Sequence, residues 1–467
     1  MTSPVLTTAR DVADPRHLRA ALRLSPADAT LAAALRCGTA VALALGLAAA
    51  VGRTDLAGFV ALGALASLYG RFEPYRRRAG VVALLGGVLT GAVVLTAALT
   101  AAGAADLVVL TTVAGVAAAV TALCVLIRTG PPGATIVVFA AAGGMGGQVA
   151  WADVAERGLA CAAGAAVAWL VVMSGYLLRP TAPARLAVRR ADDAARRVGP
   201  GTVTDSNAQG TTAEGTTAAD VAAARAAIRA AREVLADDAS HARTRPAALR
   251  LAAELATIER RLPAHDQPSR TGTPGPAGVE HSGWPASPAA GLPARTRLAD
   301  RARATWPGFG WRLAGVRVLA SAVAAGAVAA LSGVGHPAWA QMGATATLQG
   351  TTAHHAVVRA LQRAAGTAVG ALLAWPLLAA HLGFVATCVA VVALQVVTEI
   401  VVGRHYGLAM LTITPMALLM TSLAAPADPT GMALSRAVDT VVGAAFGVLA
   451  VVLVHPRVRS RATPASR

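Results

Sequence analysis

The 467-residue chain is 55% hydrophobic and only 14% charged, with a mean hydropathy of +0.57. A soluble chain carries about 25% charge and cannot keep this much apolar surface from water. Secreted, nuclear and ordinary cytosolic enzyme classes are excluded, and an all-α membrane protein is expected. The net charge of +17 comes from 41 basic residues, all of them Arg. The four Cys (Cys37, Cys124, Cys161, Cys388) stand singly in apolar runs without metal-ligand spacing and read as small packing residues.

Residues 1–28 hold Arg10, Arg16, Arg19 and Arg23 and lack a long apolar stretch, so they read as a cytoplasmic segment without a cleavable signal. Six apolar runs follow within residues 29–178: Leu31–Val51, Leu56–Leu68, Gly80–Ala102, Leu107–Ile127, Ala134–Ala150 and Gly158–Leu178. Several approach the ~20 residues of a spanning helix. After a polar region at 179–311, six more runs fall within 312–456: Leu313–Leu331, Ala338–Gly350, Gly366–Ala380, Phe384–Val402, Tyr406–Ala424 and Ala437–Val454. A basic tail, 457–467, ends the chain. Twelve transmembrane helices in two sets of six are expected.

The two sets read as copies. AGFVALGALASLYG aligns with PAWAQMGATATLQG, placing Gly63 and Gly70 against Gly343 and Gly350 at an offset of 280. Arg36 matches Arg317 at 281; Arg157 and Gly164 match Arg436 and Gly443 at 279. A six-span unit returns the chain to the side it left, so the repeats are parallel, related by a pseudo-two-fold axis along the membrane normal.

Arg placement predicts orientation. With the N-terminus inside, inner loops hold Arg71, Arg76–Arg78, Arg128, Arg179, Arg359, Arg363 and Arg404, and the tail adds Arg457, Arg459 and Arg461. Outer loops hold only Arg53, Arg157 and Arg436, beside Asp55, Asp106, Asp153, Glu156 and Asp428. Both termini and residues 179–311 are therefore expected in the cytoplasm, with the cell membrane's anionic lipids as a partner. The basic balance is topology, and nucleic acid is disfavoured.

Within 179–311, Arg185–Val198 reads as helix, and Val221, Ile228 and Leu235 recur every seven residues. Leu251, Leu255, Ile258 and Leu262 form a second stripe beyond Pro246, giving a helical hairpin. Gly199–Gly215 and Pro263–Pro293 read as Gly/Pro/Ser/Thr-rich flexible linkers. No phosphate-binding Gly loop, Ser/His/Asp arrangement or His/Cys cluster occurs, so no catalytic residue, cofactor or metal is assigned. His354-His355 reads as a solvated loop pair.

This architecture resembles the FUSC family, the fusaric acid resistance protein-like or aromatic acid exporter-like group. The resemblance rests on HPAWAQMGATATLQG, then Arg359, Arg363 and AAGTAVGALLAW, with Gly366, Thr367 and Gly370 matching the family's Arg, then Gly-Thr-x-x-Gly pattern. The first copy has LAGFVALGALASLYG, Arg76–Arg78 and AGVVALLGGVLTG; Gly80-Val81 departs from the pattern at the Thr. The resemblance covers both membrane halves and not residues 179–311. It implies a transporter exporting small organic, aromatic carboxylic acids. Plant aluminium-activated malate channels are distantly similar and build an anion path from two six-span subunits.

Arg pairs a carboxylate bidentately and so replaces its lost water. Arg36 and Arg317, repeat-equivalent in spans 1 and 7, are the expected anion path; the competing reading is snorkelling to the interface. Gln341, Thr345, Gln349 and Thr352 give span 8 a polar face, for solute or for helix–helix bonding. Glu399, one turn after Gln395, is either a proton carrier or a partner of Arg404. Arg436 and Asp439 read as an i,i+3 pair. Gly143, Gly144, Gly146 and Gly147 after Pro131-Pro132-Gly133 in span 5, and Thr412, Thr414 and Pro415 in span 11, mark irregular helix where substrate binds, or close packing of small residues. Three functions follow: an exporter of small organic anions, a passive anion channel with the same residues, or a scaffold acting through the insert. A homo-oligomer remains open.

Overall fold

The computed structural model describes residues 14, 16–24, 31–198, 213–262, 292–333, 336–349, 353–424 and 428–453. All regular structure among them is helical. The chain opens with α1 (Arg16–Ala21), α2 (Leu31–Ala50), α3 (Ala57–Ala64, with 3-10 turns at Thr54–Leu56 and Leu65–Leu68), α4 (Tyr75–Ala101), α5 (Asp106–Leu126), α6 (Thr135–Gly144) and α7 (Trp151–Leu178). Then come α8 (Ala182–Arg197), α9 (Ala213–Ala239), α10 (Arg245–Arg260) and α11 (Leu298–Thr305). The last six are α12 (Gly310–Leu331), α13 (Pro337–Thr347), α14 (Ala353–Ala379), α15 (Phe384–Val401), α16 (Tyr406–Ala424) and α17 (Pro429–Leu453).

Each apolar run holds a helix. Eight of them, α2, α4, α5, α7, α12, α15, α16 and α17, have the length and apolar composition to cross a bilayer. By contrast, α3, α6 and α13 run for only 8, 10 and 11 residues. The 27-residue α14 begins with three turns that hold Arg359 and Arg363. Helices outrun the apolar windows at their N-terminal ends, as in α7 and α14, because charged turns stay helical beyond the hydrophobic stretch.

Packing separates two compact units. The larger gathers the described residues of Met1–Gly70, Gly80–Val172 and Arg301–Arg467. In its amino-terminal half Gly63 and Gly164 bring α3 and α7 into backbone contact: a Cβ on either would lie 1.9 Å from a carbonyl oxygen, of Cys161 or Val60. In its carboxyl-terminal half Gly443 sits the same way against α13, 2.2 Å from the Ala340 oxygen, and Gly343 faces the Gly443 Cα. Only glycine permits these approaches. Gly366 and Gly370 do likewise for α14 on α16, against Gly407 and Met410. Between the halves, α2 packs on α15 and α12 on α5, while α3 packs on α16 and α13 on α6.

The smaller unit comprises Arg71–Ala79 and Met173–Asp300. The expected hairpin is present with a third helix against it: Ala184 and Val188 of α8, Ile228 and Leu235 of α9, and Leu255 and Ile258 of α10 share one apolar core. Pro246 stands in the first turn of α10, where its missing N–H costs nothing. Helix α9 starts at Ala213, so the first linker ends three residues sooner than expected; residues 199–212 and 263–291 of the two linkers lie outside the described residues. Arg295 donates to Asp237, and Arg77 to Glu73 and Thr296, tying the unit's outer segments to its helices.

Candidate functional site

Arg36 and Arg317, set against each other by the sequence alignment, both lie within apolar helices. Arg36 is half-buried on α2, two residues before Gly38, whose absent Cβ leaves room for Val396 of α15. Arg317 is half-buried on α12, two residues after Gly315, which lies against Ala118 and Ala122 of α5. The two glycines mark where the halves of the larger unit meet, and each arginine lies two residues, about 200° of helix, away from its glycine. A guanidinium at such a depth keeps its charge only with polar neighbours or a counter-ion, since burial of a bare charge is costly.

The polar residues of span 8 are built into helix packing. The Gln341 amide donates to the Leu110 carbonyl of α5 at 2.8 Å and lies against Gly326 of α12. Thr345 donates back to the Gln341 carbonyl. Gln349 donates to the Pro132 carbonyl and the Thr135 hydroxyl, and its own carbonyl accepts from Arg359 at 2.9 Å. Tyr69, the repeat equivalent of Gln349, donates to the Gly133 carbonyl at 2.6 Å. The segment Pro131–Gly133 thus receives one polar side chain from each half. Thr352 and Gly350 lie outside the described residues.

Glu399 and Gln395 are buried one turn apart on α15. Arg404 is exposed and donates to the Ile400 carbonyl at 3.2 Å. On α16, Thr412 exchanges a 2.7 Å hydrogen bond with Thr398, and the Thr414 hydroxyl is buried without a partner beside Gly370. The helix runs on through Pro415. Span 5 is irregular in a different way: α6 stops at Gly144, and Gly147 takes a φ of +72°. The Arg157 guanidinium receives that end, donating to the carbonyls of Gly144, Gly146 and Gln148.

Two clusters escaped the sequence reading. In the first, Tyr406 is held between two cations: Arg359 stacks 3.9 Å from the ring centre and Arg363 donates to the phenol oxygen at 2.8 Å. The i,i+4 spacing of Arg359 and Arg363 was the available signal. In the second, Arg436 is wholly buried over the Trp339 ring, while Asp439 accepts from the His336 backbone N–H at 2.7 Å at the start of α13. The expected Arg436–Asp439 pair is replaced by these contacts, because the close approach of α13 to α17 offers each a nearer partner. His354 also departs from the loop reading: it begins α14 and meets the His17 ring of α1 at 2.7 Å.

Long apolar helices, close glycine crossings and arginines set within them define a multi-pass α-helical integral membrane protein. Residues 302–450 match the family described as fusaric acid resistance protein-like, so the resemblance read from the sequence holds over the carboxyl-terminal membrane half. A Bacillus subtilis (strain 168) protein described as "Uncharacterized membrane protein YvaC" is 34% identical over 129 residues, 27% of this chain. The match spans about a fifth (20%) of that protein's length. No solved structure matches.

Proposed function

We propose that the protein is a secondary transporter that carries small organic, chiefly aromatic carboxylic, anions outward across the cell membrane. The observation behind this reading is that Arg36 and Arg317 are each half-buried within an apolar helix, α2 or α12, and that each of these helices packs against the other half. In this reading the membrane part is two parallel six-helix repeats, in which α3, α6 and α13 are held among the longer spans without crossing the bilayer on their own. The reciprocal contacts support it: α2 on α15 mirrors α12 on α5, and α3 on α16 mirrors α13 on α6. A two-fold axis between the halves brings Arg36 and Arg317 to one route, where their guanidinium groups replace the water a carboxylate sheds. Inner-loop arginines raise the anion concentration at the entrance, with both termini and the 179–311 insert in the cytoplasm.

Gln341, Thr345 and Gln349 serve as the wall of this route, fixing α13 against α5 and α6. Thr412, Thr414 and Pro415 shape its α16 side. Glu399, buried within α15, is the candidate to carry a coupling proton, and a dependence of flux on the proton gradient distinguishes an exporter from a passive channel. The test is counterflow of radiolabelled benzoate in proteoliposomes, with and without a proton gradient. Gradient-driven flux lost in Arg36→Ala/Arg317→Ala supports the exporter. Flux indifferent to the gradient but lost in that variant assigns a channel. Absence of flux for every organic acid tried removes the substrate class and favours a scaffold acting through the insert.

A further inference from the structure

The smaller unit contains an open cleft of about 880 Å³ that the transport reading does not use. Four arginines line it: Arg179, Arg185, Arg189 and Arg243. Against them stands one carboxylate, Glu254. Arg185 and Arg189 lie four apart on α8, so they share a face and repel one another. All four guanidinium groups are exposed and none forms an ion pair with the described residues. Some other arginines of the unit are matched: Arg196 and Arg261 both reach Asp192, and Arg295 reaches Asp237. Arg197, Arg229 and Arg250 are exposed singly, whereas the cleft gathers four unmatched arginines around one concavity.

The cleft also has an apolar side, made by Leu178, Val188 and Leu251. Leu178 is the last residue of α7 and is 84% exposed; Leu177 beside it is 70% exposed. Helix α7 has 28 residues, so it extends about 42 Å at 1.5 Å per residue, against about 30 Å of hydrocarbon. Its end therefore reaches the headgroup layer, and Arg179 follows at once. A ligand for this cleft needs an anionic group for the guanidinium groups and an apolar stem for the leucines.

We propose that the cleft binds the phosphate of an anionic phospholipid headgroup, with the glycerol and upper acyl chain against Leu178 and Leu251. Guanidinium groups pair phosphate oxygens bidentately, and juxtamembrane arginines each add to the attraction for an anionic leaflet. This inference is independent of whether the protein transports anything.

Native mass spectrometry of the detergent-purified full chain, offered equal phosphatidylglycerol and phosphatidylcholine, tests it. Wild type should retain the anionic lipid at least about tenfold over the zwitterionic one, and Arg185→Gln/Arg189→Gln/Arg243→Gln should lose that preference. A control with three exposed arginines elsewhere in the unit, Arg197→Gln/Arg229→Gln/Arg250→Gln, should keep it. Glu254→Gln should raise retention, a gain that misfolding cannot mimic. Equal retention in the cleft variant and wild type would overturn the proposal. Displacement of bound phosphatidylglycerol by glycerol phosphate at equal concentration would assign the cleft to a soluble phosphate and overturn the lipid source.

Discussion

The guanidinium carbon of Arg436 lies 5.1 Å from the centre of the Trp339 ring. Arg157 lies 5.1 Å from Phe59, two residues that the sequence alignment sets against Arg436 and Trp339. The same contact is thus made twice, but the donors differ. Arg157 gives its N–H groups to three carbonyls at the end of α6. Arg436 keeps Nε and Nη1 buried without partners. One arginine closes a helix; the other retains unused donors inside the bundle.

Replacement by methionine should separate these roles. Arg157→Met leaves three carbonyls without a donor and should lower stability by about 2–4 kcal/mol. Arg436→Met removes a buried charge whose own bonds are incomplete and should cost less than half as much. Thermal unfolding of the purified variants checks the order; a larger loss for Arg436→Met would refute it.

Glycine crossings should divide sharply from open glycines. Gly164→Ala and Gly443→Ala place a Cβ within 1.9 and 2.2 Å of a backbone oxygen, so each should cost about 1–3 kcal/mol. Gly87 has no atom within 4 Å of its added Cβ, and Gly87→Ala on α4 should be neutral or slightly stabilising. Fluorescence-detected size exclusion after a heating series provides the readout.

Tyr406→Phe should isolate one bond of the Arg359–Tyr406–Arg363 stack. The ring that Arg359 covers is kept, and only the phenol acceptor for Arg363 is lost. The expected loss is about 1–2 kcal/mol, with most of it leaving Arg363 buried and short of a partner. A loss as large as that of Tyr406→Ala would mean the ring contact contributes nothing.

The smaller unit should weaken as pH rises. Asp238 is buried at the end of α9, and one of its carboxylate oxygens has no partner. Burial, and then the adjacent Asp237 carboxylate, push its pKa up to about 7 from 3.8. Between those values the folded state holds a proton that the unfolded chain has released. Stability contributed at low pH therefore declines from about pH 4 and is gone above about pH 7, a change on the order of a few kcal/mol. Hydrogen exchange over α9 and α10 in the full chain, corrected for intrinsic rates, should show protection falling from pH 5 to pH 8. Asp238→Asn should flatten that dependence.

Helix positions were legible because apolar content alone marks them: each run from Leu31–Val51 to Ala437–Val454 contains a helix. Gly63, Gly164, Gly343 and Gly443 stood out too, and each sits at a close backbone approach. The polar pairings were not legible. Gln349 finds Pro132 and Thr135, and Gln341 finds Leu110, across more than 200 residues of chain, where sequence spacing has nothing to say. Local spacing also misled at Arg436 and Asp439: three apart in sequence, Arg436 lies over the Trp339 ring and Asp439 accepts from the His336 backbone. The third helix of the smaller unit's core was predicted as a helix, but its place against α9 and α10 depends on tertiary packing alone.

Helix α13 has consequences for how the chain is made. It is 11 residues long, about 16 Å, and every residue from Ala338 to Thr347 is enclosed by protein. Such a segment is too short to rest across a bilayer and holds Gln341 and Thr345, which lipid cannot satisfy. Its groove is completed by Gly443 on α17, synthesised about a hundred residues later. Until the ribosome has released that last helix, α13 has no finished place to go. Truncation anywhere before α17 should therefore strand a polar half-helix at the insertion machinery and mark the nascent chain for degradation, however sound the preceding helices are.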